Sequence, residues 1–164
     1  MRERAGEGHV AVVSAEEAAE AVKATFPETV EETTLKEDLP CLIVRREDLV
    51  NAMHELRRAG FDFLVDLTAV DYPGRAERFE VVYHLYSFAA NQRLRVKTRA
   101  AESTPVPTLT GLWKSANWFE REVWDLFGVR FEGHPNLTRI VLPDDWVGHP
   151  LRKDFPIGGE NVQF

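Results

Sequence analysis

The sequence lacks the residues that several functional classes require. Its 164 residues include one cysteine, Cys41, which excludes an internal disulfide and any cysteine-based zinc site or cluster built by this chain alone. No apolar run approaches the roughly 20 residues that a membrane helix needs. The start of the chain is charged and glycine-rich, whereas a secretory signal needs a longer apolar stretch there. We therefore expect the chain to remain where it is made and to associate with a membrane only indirectly, through partners.

Basic charge and phosphate-binding motifs are also scarce. The formal net charge is −7, with 27 acidic against 20 basic side chains, whereas nucleic-acid binding requires a basic surface. No glycine-rich loop follows a predicted strand, so the sequence gives no support for a nucleotide site. We therefore expect no nucleic acid among the partners. The composition, 44% hydrophobic and 29% charged, is typical of a globular protein with an ordinary core.

Helical and strand patterns are both present and predict an α+β fold. A capping box at Ser14 and Glu17 begins a helix over residues 15–25, and a second amphipathic helix runs from about residue 47 to residue 59, before Gly60. Five strands are predicted, at residues 30–35, 41–45, 61–70, 79–87 and 93–99. This order predicts a two-layer sandwich, with the helices packed on one face of a mixed, largely antiparallel sheet.

Two of these strands have patterns that predict their faces. The third strand is expected to turn one set of apolar side chains to the same face: Phe61, Phe63, Val65 and Leu67. The fifth strand is expected to turn a row of basic side chains to one face: Arg93, Arg95, Lys97 and Arg99. Two interpretations of the basic row stay open. It is either a site for an acidic partner or phosphate, or a solvated outer face that also protects an exposed sheet edge.

The C-terminal part of the chain combines a strong helix with a long irregular segment. The helix is predicted over about residues 116–127 and is closed by Gly128. The segment after it carries four of the nine prolines, which lower the entropy cost of holding an extended chain against a surface. We therefore predict an α+β domain over residues 1–128, of which about residues 1–13 are flexible. Residues 129–164 are predicted to form an extended arm that docks on partner subunits.

The carboxylates and histidines of this part of the chain raise the alternative of catalysis. Glu120 and Glu122 point to nearly opposite sides of a helix, so they cannot share a substrate, and ion pairing on the helix surface or between subunits is expected instead. A metal-dependent hydrolase using His134, His149 and Asp154 is a second alternative. These residues lack the H-x-x-x-H spacing and the cysteine partners of common zinc sites, so structural hydrogen bonding by the imidazoles is favoured.

Residues of the helix and arm are predicted to contact partner subunits. On the helix, Trp118, Glu122 and Asp125 fall on one face, and Arg121 and Asp125, four residues apart, have the spacing of an ion pair. Aromatic and arginine side chains are typical of interface centres, and arginine also donates to carboxylates across a contact. The predicted interface residues are Trp118, Arg121, Glu122, Asp125, His134, Pro135, Arg139, Trp146, His149, Pro150, Arg152, Lys153 and Asp154. No catalytic, cofactor-binding or metal-binding residue is predicted.

Several blocks of the sequence resemble one known family. Residues 120–129 (EREVWDLFGV), 131–135 (FEGHP) and 148–156 (GHPLRKDFP) resemble the signature of one subunit of bacterial NADH-quinone oxidoreductase. The counterpart of that subunit in mitochondria is the thirty-kilodalton subunit of respiratory complex I. Residues 66–73 (DLTAVDYP) and the strand at 79–87 also fit, so the resemblance extends more loosely over about residues 30–156.

The resemblance implies a non-catalytic structural subunit in the peripheral arm of a proton-translocating NADH:quinone oxidoreductase. That enzyme passes electrons from NADH through FMN and iron–sulfur clusters to quinone, and the thirty-kilodalton subunit itself holds none of these cofactors. The expected partners are the quinone-cavity subunit and neighbouring cluster-bearing subunits. The expected location is peripheral, on the cytoplasmic face of the bacterial cell membrane. The alternative is an equivalent scaffold in a membrane-bound hydrogenase or another donor:quinone oxidoreductase.

Overall fold

In the computed structural model of the chain we describe residues 12–34 and 39–156. The elements in chain order are α1 (Ala15–Thr25), β1 (Val30–Thr34), β2 (Cys41–Val44), a 3-10 turn (Arg46–Asp48), α2 (Leu49–Arg58), β3 (Phe63–Asp71), β4 (Phe79–Ser87), β5 (Gln92–Ala100), β6 (Val106–Pro107), α3 (Ala116–Phe127) and β7 (Phe131–Glu132). The N-terminal segment that we predict to be flexible lies, apart from residues 12 and 13, outside the described residues.

Five strands form one mixed sheet with the order β1-β2-β5-β4-β3. All neighbours are antiparallel except β2 and β5, which are parallel. The strands β3, β4 and β5 follow one another as a meander, and short turns suffice to join them. The predicted α+β class with a largely antiparallel sheet is therefore confirmed. The short strands β6 and β7 form a separate parallel pair.

Local signals in the sequence begin and end the helices. The Ser14 hydroxyl accepts the Glu17 N–H at 3.2 Å, and the Glu17 carboxylate accepts the Ser14 N–H at 2.9 Å, so α1 begins with the predicted capping box. After α2, Gly60 takes a φ of +101°, a left-handed conformation that glycine adopts without steric cost. Among the described residues, none of the helices has both the length and the hydropathy needed to cross a membrane.

One continuous core lies between the helices and the sheet. Tyr83 of β4 and Leu56 of α2 are fully buried in it, and Val123 of α3 joins the same cluster. The cluster continues after α3, because Val129 and Phe131 are 3% and 4% exposed and β7 pairs with β6. The packed domain therefore extends beyond residue 128, where the sequence predicted its end.

The predicted facing of β3 is wrong for Phe63, although Phe61 and Leu67 are buried as predicted. Phe63 is 46% exposed, whereas the next residue, Leu64, is 1% exposed. The register of β3 against β4 shifts between Leu64 and Asp66, as it does at a β-bulge. Because side chains alternate along a strand, one extra residue moves those on one side of it to the opposite face.

The basic row of β5 lies in the middle of the sheet, so its predicted role in protecting an edge is also wrong. It faces away from the buried side chains of β5 and forms pairs with neighbouring strands. Lys97 Nζ lies 2.8 Å from Glu80, and Arg95 Nε donates to His84 Nε2 at 2.9 Å. The other ring nitrogen of His84 lies 2.6 Å from Asp66. Because charges of the row pair within the sheet, the structure favours the outer-face interpretation over a phosphate site.

Candidate functional site

The C-terminal end of α3 is capped by the segment that follows it. The last four carbonyls of a helix have no donor from the helix itself. Here the arm supplies donors to three of them, at 2.6–3.0 Å: His149 Nδ1 for Asp125, Leu151 N–H for Leu126 and Arg152 Nε for Phe127. The carbonyl before them, of Trp124, accepts the N–H of the C-cap residue Gly128 at 2.8 Å. The guanidinium also places positive charge at the negative end of the helix dipole. The arm thus completes a helix end that would otherwise need water.

Gly128 allows the arm to come this close to the helix. Its φ is +78°, in the left-handed region where helices commonly end at glycine. A Cβ atom at this position would lie 2.6 Å from the His149 ring and closer still to the Arg152 guanidinium. Glycine is therefore required both by the backbone conformation and by the space.

Asp125 anchors the loop that returns over α3. Its side chain is fully buried, and Oδ2 accepts the N–H groups of Ile140, Val141 and Leu142 at 3.0, 2.8 and 3.0 Å. Oδ1 accepts from the guanidinium of Arg139. Burial raises the pKa of the Asp125 carboxyl, but the three N–H donors and Arg139 outweigh burial, so the pKa lies below its ordinary value.

Arg139 fixes the course of the loop after residue 142. Its guanidinium donates to the carbonyls of Trp146 at 2.7 Å and Gly148 at 3.3 Å, and it lies 5.6 Å from the centre of the Trp124 ring. Because a guanidinium offers five donors in a planar fork, one side chain can bind an acid and several carbonyls together. Arg139 therefore donates its hydrogen bonds to groups of its own chain.

The structure corrects two expectations about the helix face. The predicted pair of Arg121 with Asp125 is not formed, because Arg121 donates to two backbone carbonyls of the arm at 3.0 and 2.9 Å. Asp125 is 0% exposed beneath residues 139–142, so it does not face a partner as we expected. Trp118, at 62% exposed, and Glu122 do lie on the surface.

Around Trp118 the surface forms an open depression. Its volume is about 580 Å³, and it is lined by Thr110, Gly111, Lys114, Asn117, Trp118, Gly133 and Pro135. The Arg121 guanidinium lies 5.4 Å from the centre of the Trp118 ring, a distance at which a cation is attracted to the ring face. Two of the predicted interface residues, Trp118 and Pro135, therefore share one accessible surface.

The histidines of the proposed metal site have separate structural partners. The His134 side chain is buried, with Nε2 3.1 Å from the Asn117 carbonyl and Nδ1 accepting the Asn136 N–H at 3.0 Å. Burial lowers the pKa of His149, which favours the neutral ring that caps α3. Within the described part of the chain, no group of three or more His, Cys, Asp or Glu side chains could hold a metal ion. The hydrolase alternative has no site there.

The end of the arm is tied to the turn between β3 and β4. Arg78 donates to both carboxylate oxygens of Asp71, at 2.7 and 2.9 Å, and also to Asp154 at 2.7 Å. The Lys153 N–H donates to Asp71 at 2.8 Å across 82 residues of sequence. The hydrogen bond from Arg78 holds the pKa of Asp71 below its ordinary value although burial raises it. Two distant sequence blocks thus meet at one buried acid.

We expect Asp71→Asn to lower the free energy of unfolding of the full chain by about 2–3 kcal/mol, because it leaves Arg78 without its buried counter-ion. Denaturant unfolding at pH 7 measures the loss, and Asp62→Asn, an exposed acid, serves as the control. The wild type should lose the same contribution as the pH falls below the ordinary Asp value of 3.8, because the pKa is depressed only in the folded state. Equal stability of the two variants would contradict this role for Asp71.

The exposed side chains of the arm are mixed: Asn136, Thr138, Asp144 and Asp145 are polar, and several others are apolar. Val141, Val147 and Leu151 are 56%, 67% and 51% exposed, and Pro135 and Pro143 are exposed as well. The remaining predicted interface residues of the arm are half-buried or exposed: Trp146 and Pro150 are half-buried, and Lys153 and Asp154 are exposed. Hydrogen bonds from polar side chains therefore attach the arm to its own domain, while Val141, Val147 and Leu151 leave apolar surface exposed.

Sequence reasoning missed part of this arrangement. Val141, Val147 and Leu151 follow no helical or strand period, so no pattern distinguished them from core residues. Asp71 and Arg78 lie between the predicted strands at 61–70 and 79–87, and only the block at 66–73 drew attention to that region. Their contacts join positions far apart in sequence, which periodicity does not detect.

Comparison with known proteins identifies the family. Residues 42–161 match the family described as "Respiratory-chain NADH dehydrogenase, 30 Kd subunit". The chain belongs to this family. It is 53% identical over 125 residues to the corresponding NADH-quinone oxidoreductase subunit of Roseiflexus sp. (strain RS-1), covering 74% of this chain and 72% of the relative. It is 54% identical over 128 residues to the same subunit of Moorella thermoacetica, covering 75% and 86%.

The chain is also similar to a mitochondrial protein and to two solved structures. NADH dehydrogenase [ubiquinone] iron-sulfur protein 3 of Candida albicans is 47% identical over 141 residues, which are 84% of this chain and 50% of that protein. The solved trypsin-resistant fragment of Nqo5 is 36% identical, with a TM-score of 0.64 over 74% of this chain and 98% of the fragment. A chain of a membrane-bound sulfane sulfur reductase, an archaeal respiratory membrane complex, is 28% identical, with a TM-score of 0.75 over 87% and 85%.

Proposed function

We propose that this chain is a non-catalytic structural subunit of the peripheral arm of a proton-translocating NADH:quinone oxidoreductase. Its family, and identities above 50% to NADH-quinone oxidoreductase subunits of two bacteria, support this function. In such an enzyme FMN and iron–sulfur clusters carry electrons from NADH to quinone, and we assign all of these cofactors to partner subunits. The isolated chain should have neither NADH-dehydrogenase nor quinone-reductase activity.

We infer that the immediate partners are the quinone-cavity subunit and neighbouring cluster-bearing subunits. Docking on them would hold the chain at the cytoplasmic face of the bacterial cell membrane as a peripheral protein. The surface proposed for docking consists of the Trp118 depression and the outward side of the arm, residues 133–156. Of the predicted interface residues, Asp125 and Arg139 act within the chain and position this surface from beneath.

The observation that carries the docking proposal is that the arm exposes large apolar side chains on a segment held in place by hydrogen bonds. Arg139, His149 and Arg152 turn their polar atoms inward to the end of α3. Val147 and Leu151 turn outward and are 67% and 51% exposed. Exposed apolar side chains on a segment whose backbone is fixed by hydrogen bonds are typical of a protein–protein interface, because little conformational entropy is lost on binding. The arm therefore suits a neighbouring protein with an apolar surface.

The double variant Val147→Asp with Leu151→Asp tests this docking surface. Neither side chain is buried, so the full chain should fold with an unchanged thermal midpoint. Two carboxylates in an apolar interface would be desolvated, so co-purification of the quinone-cavity subunit from native membranes should fall at least tenfold. Val12→Asp, at an apolar residue 58% exposed outside the arm, is the matched control. Normal assembly of the double variant would refute the docking surface.

A second candidate function is favoured by one structural comparison. A chain of the membrane-bound sulfane sulfur reductase is 28% identical to this chain and matches 87% of it. The same scaffold could therefore serve a membrane-bound hydrogenase or another donor:quinone oxidoreductase. Affinity purification of this chain from its native membrane separates the two functions, because a co-purifying NADH-binding flavoprotein supports the first and a hydrogenase or sulfur-reducing subunit supports the second.

A further inference from the structure

Glu120 is a buried carboxyl on α3 that lacks the cation normally found beside such a group. Its side chain is 0% exposed, and within the described part of the chain its one ionisable basic neighbour is His134, with Nε2 4.0 Å away. Oε1 accepts the Leu109 N–H at 2.7 Å, and Oε2 lies 2.5 Å from the Thr108 hydroxyl. A buried carboxylate held only by neutral donors is costly, so its protonated form is favoured.

Two hydroxyls connect this carboxyl to the surface. Thr108 Oγ1 lies 3.0 Å from Thr110 Oγ1, and either atom can be the donor. Thr110 lines the open depression beside Trp118. The distances therefore link Glu120, Thr108 and Thr110 into one chain of hydrogen bonds that begins in the core and ends at solvent.

The direction of this chain can reverse with the protonation of the carboxyl. A hydroxyl donates one hydrogen bond and accepts others, so Thr108 can donate to an ionised Glu120. When Glu120 is protonated, it donates to Thr108, and Thr108 donates to Thr110. The Thr110 N–H, 3.2 Å from Thr108 Oγ1, remains a donor in both states. The carboxyl can therefore gain or lose a proton without leaving any of these groups unpaired.

The other titratable groups that face Glu120 are Tyr83 of β4 and His134 after β7. The Tyr83 hydroxyl is buried without a partner among the described residues, and burial, with the charge of Glu120, raises its pKa well above the ordinary value. The His134 ring accepts at Nδ1 and donates from Nε2 to a backbone carbonyl.

We propose that Glu120 is a buried proton-binding site that exchanges with solvent through the hydroxyls of Thr108 and Thr110, at the depression beside Trp118. The site belongs to the chain itself and does not depend on the identity of its partners. Burial raises the pKa of Glu120 from 4.5 to about 7, against the hydrogen bonds from Thr108 and Leu109. The folded chain thus binds this proton more tightly than the unfolded chain, so its contribution to stability is complete below pH 4.5 and is lost as the pH rises through about 7.

The titration of Glu120 is measurable in the full chain by carbon NMR of its side-chain carboxyl, assigned as the signal missing from Glu120→Gln. We expect a midpoint near the raised pKa of about 7, and a midpoint below 5 would overturn the site. Glu120→Gln copies the protonated state, because its amide offers a carbonyl to Leu109 and an N–H to Thr108. Between pH 5 and pH 9 the folding equilibrium constant of the wild type should fall on the order of a hundredfold relative to Glu120→Gln.

The exchange route is tested separately at Thr110. Thr110→Val interrupts the route but leaves both hydrogen bonds of the Glu120 carboxyl, so the midpoint should stay within about half a pH unit. Proton exchange, read from broadening of the carboxyl signal near the midpoint, should slow at least tenfold. Thr110→Ser, which restores the hydroxyl, should restore the rate. An unchanged rate in Thr110→Val would show that the proton takes another path and would end the proposed route.

Discussion

Asp125→Ala should lower the free energy of unfolding of the full chain by about 3–5 kcal/mol, as expected when one partner of a buried ion pair is removed. The substitution leaves three backbone N–H groups of the arm without an acceptor. It also leaves the Arg139 guanidinium, on a side chain that is 12% exposed, without the Asp125 carboxylate as its counter-ion. Each unsatisfied buried donor costs about 1–3 kcal/mol, reduced where water can enter as the loop opens. Urea unfolding at pH 7 measures the change.

Glu122→Ala is the matched control for this prediction. Glu122 lies three residues earlier on the same helix, carries the same charge and is exposed, so its loss should change the stability by less than about 0.5 kcal/mol. Hydrogen exchange separates a local effect from a global one, because the N–H groups of residues 140–142 should lose protection first in Asp125→Ala. If both variants are equally stable, the carboxylate of Asp125 does not anchor the arm.

The sequence predicted those parts of the fold that depend on neighbouring residues. Ser14 and Glu17 signal the start of α1, and Gly128 signals the end of α3, because a cap is decided within one helical turn. The exposure of Phe63 in β3 was missed because the bulge near Val65 depends on the register of β3 with β4. The hydrophobic period of one strand does not show its register with the neighbouring strand.

The candidate site shows the same division between local and distant contacts. The helix period correctly placed Trp118 on the surface, but it also suggested that Asp125 would be accessible on that face. Asp125 is buried only because residues 139–142 return over it, and no periodic pattern predicts a return by irregular chain. Glu120 was likewise expected to form ion pairs, whereas its partners, Thr108 and Leu109, precede α3 and are neutral.

The family resemblance rests on blocks whose physical connection becomes visible only in the structure. Residues 120–129 supply the end of α3, and residues 148–156 supply the groups that cap it. The block at 66–73 contributes Asp71, which receives the end of the arm. A domain and an arm were therefore predicted as separate units, although the arm completes the domain on one side and offers apolar side chains on the other.

Gly128→Ala should destabilise the full chain by about 2–4 kcal/mol, because it combines a strained backbone with the displacement of two caps. Alanine at a left-handed φ costs about 1–2 kcal/mol. The added methyl group would also push the His149 ring and the Arg152 guanidinium away from the last carbonyls of α3. Loss of a helix cap typically costs about 1 kcal/mol. Thermal and urea unfolding of the purified full chain measure the total.

Gly74→Ala separates the two parts of this cost. Gly74 also has a positive φ, +90°, but a Cβ atom there would meet nothing within 4 Å. Its substitution should therefore show the backbone strain alone, and the difference between the two variants measures how firmly the arm is packed against α3. In the complex, Gly128→Ala should also weaken assembly, because the displaced arm no longer presents its apolar side. A Gly128→Ala variant no less stable than Gly74→Ala would mean that the arm does not rest on the helix end.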